Sequence, residues 1–236
     1  MGRPLGSFTE QLIAAEAARQ YEHGMAAMEV TPGRTALVIV DMIDEFVRPN
    51  WSPYWIPEAT AQVPLIRAVS GAFRQAGAPV IYLAYEVSLR GLNFPLTDMR
   101  VPIAESAAEY MDQLLQKVAI YEELAPGPDD LVVLKHCYSG FHQTPLESVL
   151  KSLGVTTIVI AGTMTNFCCG ATAREAYWRG FNVIFGSDIN STDDPGLHDA
   201  EIRTLRRGYA RIAAAAEIIA AISGRPAETG TAAAPA

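Results

Sequence analysis

The sequence predicts an α/β fold: a three-layer, doubly wound, Rossmann-like and mostly parallel sheet of about six strands with helices on both faces. Two observations predict it. Short β-branched runs recur along the chain, and they are apolar on successive residues rather than alternating, as in strands buried on both faces. Stretches with apolar residues at helical spacing separate these runs, so strand, helix and strand repeat, which leads to right-handed crossovers onto a parallel sheet.

The first run is 35–40, followed by 79–84, 131–134, 157–160 and 182–185. A helix over 59–75 sets Val63, Ile66, Val69 and Phe73 on one face and stops before Gly77. Thr144 caps a helix through Ser152, with Pro145 at the first helical position. Further helices cover 167–178, ending before Gly180, and 198–207, ending before Gly208. A short sixth strand fits near 210–213 and feeds a last helix through Ile222, although that alanine-rich stretch also suits unbroken helix. Residues 8–28 are helical in pattern but precede the first strand, which makes 1–33 an N-terminal helical arm. It fits either a neighbouring subunit or the protein's own sheet. The main domain spans 34–224, and the low-complexity tail 225–236 is expected to be disordered. The aromatic, proline-rich loop 48–57 (RPNWSPYWIP) covers either a site or a core.

Half of the 236 residues are hydrophobic and 19% are charged, enough to bury a sizeable core and to exclude global disorder. The net charge of -8 provides no broad basic surface, so nucleic acid is not an expected partner. No apolar run reaches the ~18 residues that span a bilayer, and the start MGRPLGSFTEQ lacks a secretory pattern. With only three cysteines, two of them adjacent, no disulfide framework is expected and a reducing cytoplasm is the expected home.

Ligands of such sheets bind beyond the carboxyl ends of the strands. Asp41 follows the first strand there, Lys135 follows the third, and Cys168 opens the helix after the fourth. Singly, each has a bland explanation: a helix cap, a solvated strand end, a buried thiol. Together they put a carboxylate, an ammonium and a thiol on one rim. A first-turn position and a nearby lysine favour a thiolate at Cys168, and Asp41 is placed to move its proton. Cys169 points about 100° away around the helix and Cys137 is read as packing. A Cys–His pair with His136 or His142 ranks below this set. Phosphate-loop, dinucleotide, nucleophile-elbow, H-E-x-x-H and C-x-x-C motifs are all absent.

Three blocks resemble the isochorismatase-like cysteine hydrolases, with a pattern near the N-carbamoylsarcosine amidase and ureide hydrolase branch. They are ALVIVDMIDEFV, whose strand ends in Asp41; DDLVVLKHCYSGFHQTPLESVLKSLGV, which carries Lys135; and TTIVIAGTMTNFCCGATAREAYWRGF, which carries Cys168. The resemblance implies Asp41, Lys135 and Cys168 as a catalytic triad. It also implies an oxyanion hole from the backbone N–H groups of Met164 and Cys168, shaped by a cis peptide between Thr163 and Met164. The nicotinamidase-type metal site is missing, because no histidine lies between His23 and His136, so neither metal nor cofactor is expected. The implied activity is hydrolysis of a C–N bond in a small amide or ureide through a thioester, releasing ammonia or an amine. A silent small-molecule-binding scaffold and a vinyl-ether hydrolase are the alternatives. The family commonly forms dimers or tetramers, so a homo-oligomer with no membrane partner is expected. Candidate pocket walls are Phe46, Trp51, Tyr54, Trp55, Tyr138, Phe141, Asn166 and Phe167, with Arg90 a weaker candidate for a substrate carboxylate.

Overall fold

The computed structural model describes residues 8–24, 26–85 and 119–224. Arg90, the tail 225–236 and the first seven residues of the arm lie outside the described residues. Helix α1 (Glu10–His23) is followed by β1 (Thr35–Val40), a short α2 (Asp44–Val47), α3 (Pro57–Gln75) and β2 (Val80–Tyr85). Then come β3 (Leu131–Lys135), α4 (Leu146–Ser152), β4 (Thr157–Thr163), α5 (Gly170–Trp178), β5 (Asn182–Ser191), α6 (Pro195–Gly208), β6 (Arg211–Ala213) and α7 (Ala215–Ile222).

The six strands form one sheet in the order β3-β2-β1-β4-β5-β6, and every pair is parallel. Chain order reverses direction between β1 and β4, where a crevice opens at the carboxyl edge. Alternation along β1 divides the core. Ala36, Val38 and Val40 join the cluster under α4, α5 and α6, while Leu37 and Ile39 join the cluster under α3 and α7. Both clusters are continuous apolar layers, the arrangement that the uninterrupted β-branched runs require.

The structure corrects the sequence expectation at three places. Among the described residues β3 is an edge strand: Val132 and Leu134 are 47% and 50% exposed, so its apolar run is not buried on both faces. β5 continues past Phe185 to Ser191, through a register shift against β4 between Ile160 and Gly162. Pro145 is the N-cap of α4 rather than its first helical residue, while Thr144 Oγ1 still accepts from the Leu146 N–H at 3.2 Å. α1 packs along α6 of its own chain, where the Arg203 and Arg207 guanidinium groups lie over the Tyr21 ring at 5.6 and 4.9 Å. Among the described residues, no helix is long and apolar enough to cross a membrane.

Candidate active site

Strand ends at the crevice bring three side chains together. Asp41 leaves β1 with a φ of 47°, the left-handed region that Asp tolerates better than most residues. Its amide still donates to Leu83 O at 2.9 Å, so the carboxylate is held at the sheet edge and not on a free loop. β1 and β4 approach closely at this point. A Cβ on Gly162, whose φ is 126°, would lie 2.0 Å from Val40 O. Only glycine fits there.

Lys135 closes β3, in register with Tyr85 and on the same face as Val133. Its Nζ lies 2.7 Å from Asp41 Oδ2 and 3.4 Å from Cys168 Sγ, and it donates to Cys137 O at 3.1 Å. The ammonium therefore lies among a carboxylate, a sulfur and a carbonyl. The Tyr85 ring centroid lies 5.4 Å from the same nitrogen.

After β4, a cis Thr163–Met164 peptide leads into a π-helical turn, Thr165–Cys169, which runs on into α5. The expected helix 167–178 thus begins with a wider turn, in which an i→i+5 bond replaces the regular repeat. Met164 O accepts from the N–H groups of Phe167 and Cys169, both at 3.1 Å, but not from that of Cys168 between them. Thr172 Oγ1 donates to Cys168 O at 2.7 Å and accepts from Gly140 N–H at 3.0 Å, tying the turn to the loop after β3. Gly170 permits the tight junction: a Cβ there would meet Glu201 Oε1 at 2.2 Å and Thr165 O at 2.8 Å.

Asp41 and Lys135 are fully buried and Cys168 is nearly so. Burial pushes the Cys168 thiol up, the Asp41 charge adds to that, and Lys135 offsets only part of it. Burial works to lower Lys135, but the interactions with Asp41 and Cys168 outweigh it and push the ammonium up. These directions favour the thiol at rest: desolvation and the Asp41 charge work against the thiolate that a helix start and a nearby lysine favour. Neither Asp41 oxygen accepts a well-aligned hydrogen bond, so its contact with Lys135 is an ion pair that leaves lone pairs for an incoming proton.

Lys135, and neither His136 nor His142, is the group at Sγ. Cys169 is buried in the core, Cys137 is half-buried and offers its carbonyl to Lys135, and all three cysteines are free. The pocket-wall candidates divide. Tyr138 and Phe167 pair with ring centroids 5.3 Å apart, and Phe167 is 39% exposed. Burial pushes the Tyr138 hydroxyl up, and neighbouring Cys168 adds to that. Asn166 belongs to the same turn and accepts from Thr192 Oγ1 at 2.7 Å. Phe141 is instead a core residue, packed on Phe181 at 5.9 Å, and Phe46 packs on the Leu37 and Ile39 side of the sheet. In the loop 48–57, Trp55 Nε1 donates to Thr60 Oγ1 at 2.8 Å, Arg48 lies over Trp51 at 5.4 Å, and Tyr54 is exposed. The loop anchors on α2 and α3 through Ile56, so its buried part covers core. Sequence reasoning missed Tyr85, Thr172 and the Cys137 carbonyl. Thr172 carried a usable signal, since a threonine four residues after a helical residue can bond back to its carbonyl.

Residues 35–217 match the family model described as the isochorismatase domain. The ureidoacrylate amidohydrolase RutB of Methylobacterium radiotolerans is 32% identical over 201 residues, covering 74% of this chain and 74% of that protein. Nicotinamidase 3 of Arabidopsis thaliana is 43% identical over 84 residues, 36% of this chain. The chain spans less than half the length of the first curated relatives it matches, 42% of that plant protein and 43% of RutB from Methylorubrum extorquens. Among solved structures, a cysteine hydrolase from Pseudomonas syringae pv. phaseolicola superposes with a TM-score of 0.73 at 32% identity, covering 85% of this chain and 97% of that one. An N-carbamoylsarcosine amidase from Thermoplasma acidophilum gives 0.64 at 28%, covering 77% and 96%.

Proposed function

The chain belongs to the isochorismatase family, and from that premise we propose that it is a cysteine-dependent amidohydrolase cleaving a C–N bond of a small amide or ureide through a thioester on Cys168. The observation that carries the reading is one buried ammonium, Lys135 Nζ, in contact with both Asp41 Oδ2 at 2.7 Å and Cys168 Sγ at 3.4 Å. Relatives named ureidoacrylate amidohydrolase and N-carbamoylsarcosine amidase support the substrate class.

Asp41 takes the thiol proton as Cys168 attacks the substrate carbonyl carbon. Before transfer the cluster is carboxylate, ammonium and thiol; afterwards it is carboxylic acid, ammonium and thiolate. Both arrangements are neutral overall, so the proton moves without a net charge entering the buried space. Lys135 touches both partners and stabilises whichever is anionic. The negative charge that develops on the carbonyl oxygen meets the N–H groups of Met164 and Cys168. This assignment agrees with the Cys168 N–H not being spent on Met164 O. Protonated Asp41 then passes its proton to the departing nitrogen as the C–N bond breaks. Water, activated by Asp41, hydrolyses the thioester and restores the thiol. Tyr138, Asn166 and Phe167 flank the reacting carbonyl. Each step uses side chains and backbone of this chain.

The test is a panel of N-carbamoyl compounds, small amides and one vinyl ether, scored for ammonia, amine and pyruvate. We expect ammonia or amine from at least one ureide or amide, and a loss of about 1,000-fold or more in Cys168→Ala. Pyruvate without ammonia would assign vinyl-ether chemistry. Release of nothing from any compound would favour a silent binding scaffold, a reading to which the deep burial of the thiol lends some support.

A further inference from the structure

A second concavity of about 180 Å³ opens at the carboxyl end of β5, lined by Glu58, Gln62, Asn190, Ser191, His198 and Asp199 among others. Three of these residues carry buried oxygens that no donor meets. Asn190 is 1% exposed, and its Nδ2 donates to both Ile160 O and Gly186 O at 2.8 Å. Those bonds fix the amide, so Oδ1 is the end left without a partner. Gln62 is fixed the same way: its Nε2 donates to Asn190 O at 2.7 Å and its buried Oε1 has no donor. Ser191 Oγ, on a residue 3% exposed, is the third unpartnered atom. Buried polar atoms are nearly always paired, so three among the residues of one cleft point to a ligand.

The cleft also defines the ligand's charge. Two of the three atoms only accept, and the carboxylates of Glu58 and Asp199 line the same cleft. An anion at the start of α6 is disfavoured. The N–H groups of Gly196 and Leu197 are taken by Asp194 Oδ1 at 2.7 and 3.0 Å, and Pro195 has none. Among the described residues no group of three His, Cys, Asp or Glu comes together, so the carboxylate-rich shell that a divalent ion prefers is not assembled. We propose that this cleft binds a monovalent cation, an alkali metal ion or ammonium, on Gln62 Oε1, Asn190 Oδ1 and Ser191 Oγ. The cleft abuts the turn that carries Cys168: Thr192, at its edge, bonds Asn166 at 2.7 Å, and His198 Nδ1 pairs with Thr165 Oγ1 at 2.9 Å. A bound cation therefore braces that turn. The inference does not depend on the chemistry assigned to Cys168.

Thermal unfolding of the full chain tests it, with KCl, NaCl or NH4Cl titrated against choline chloride at constant ionic strength. At about ten times the dissociation constant, one of the small cations raises Tm saturably by roughly 3–6 °C, and the three salts separate metal ion from ammonium. Ser191→Ala loses most of that rise, while its Tm in choline equals or exceeds that of the parent, because an unpaired hydroxyl has been removed. Glu58→Gln, an exposed position that folding tolerates, weakens the apparent affinity several-fold. Equal Tm in all four salts would show that water alone fills the cleft. An undiminished rise in both variants would place the cation elsewhere. Either result overturns the proposal.

Discussion

Replacing Lys135 by methionine keeps the volume of the side chain but removes the counter-charge of a fully buried carboxylate. In the parent, Asp41 and Lys135 are both inaccessible and 2.7 Å apart. Breaking such a pair from one side costs about 3–5 kcal/mol, because the remaining charge is stranded in low dielectric. For a domain of this size that corresponds to a Tm drop of roughly 6–20 °C. Urea unfolding followed by far-UV circular dichroism measures it, provided that the m-value is unchanged. Neutralising the stranded group as well, in Asp41→Asn/Lys135→Met, restores most of the lost stability, since exchanging a buried ion pair for neutral groups is often close to neutral. Neither variant turns over substrate. A single variant that loses less than about 1 kcal/mol, or a double variant no more stable than the single, would refute a tightly coupled buried pair.

Asp41→Asn separates thiol reactivity from turnover. The Asp41 charge pushes the Cys168 thiol up, so its removal lets the thiolate form at lower pH, and iodoacetamide labelling of Cys168 moves to lower pH. Ammonia release nonetheless falls by about 100- to 10,000-fold for want of a proton donor to the leaving nitrogen. Labelling that moves to higher pH would reverse the assigned electrostatics. Gly162→Ala places a Cβ 2.0 Å from Val40 O and is expected to cost more than about 4 kcal/mol or to prevent soluble expression; near-parental urea stability would contradict the close approach of β1 and β4. Thr172→Val strips the bonds to Cys168 O and Gly140 N, lowering stability by about 1–3 kcal/mol and kcat with it, whereas Thr172→Ser retains both.

Much of the site was legible because β-branched runs end abruptly on charged or polar residues, and the carboxyl rim of a parallel sheet collects whatever follows. Asp41, Lys135 and Cys168 were placed on one edge in that way, and the structure brings their functional atoms into contact. What sequence spacing did not carry depends on neighbours distant in the chain. The run after Phe185 looks broken because Gly186, Ser187 and Asp188 are poor strand residues, yet Asn190 Nδ2 clamps Ile160 O and Gly186 O and carries β5 on to Ser191. β3 resembles an internal strand in composition, and only the sheet order makes it an edge. The upward push on the Cys168 thiol comes from its burial beside Asp41, a cost that position in a helix cannot reveal. Aromatic residues were hardest to assign, since Phe141 and Phe167 look alike in sequence while one fills the core and the other meets solvent.

The central claim is that substrate carbon becomes bonded to Cys168 Sγ. Rapid acid quench, with the ureide or amide that releases ammonia, followed by peptide mass spectrometry addresses it most directly. The account predicts a transient adduct with the mass of the acyl fragment on the peptide containing Cys168, rising before steady state, confined to that cysteine and absent from Cys168→Ala together with turnover. Ammonia release with every cysteine unmodified throughout, or at an unchanged rate in Cys168→Ala, would contradict it.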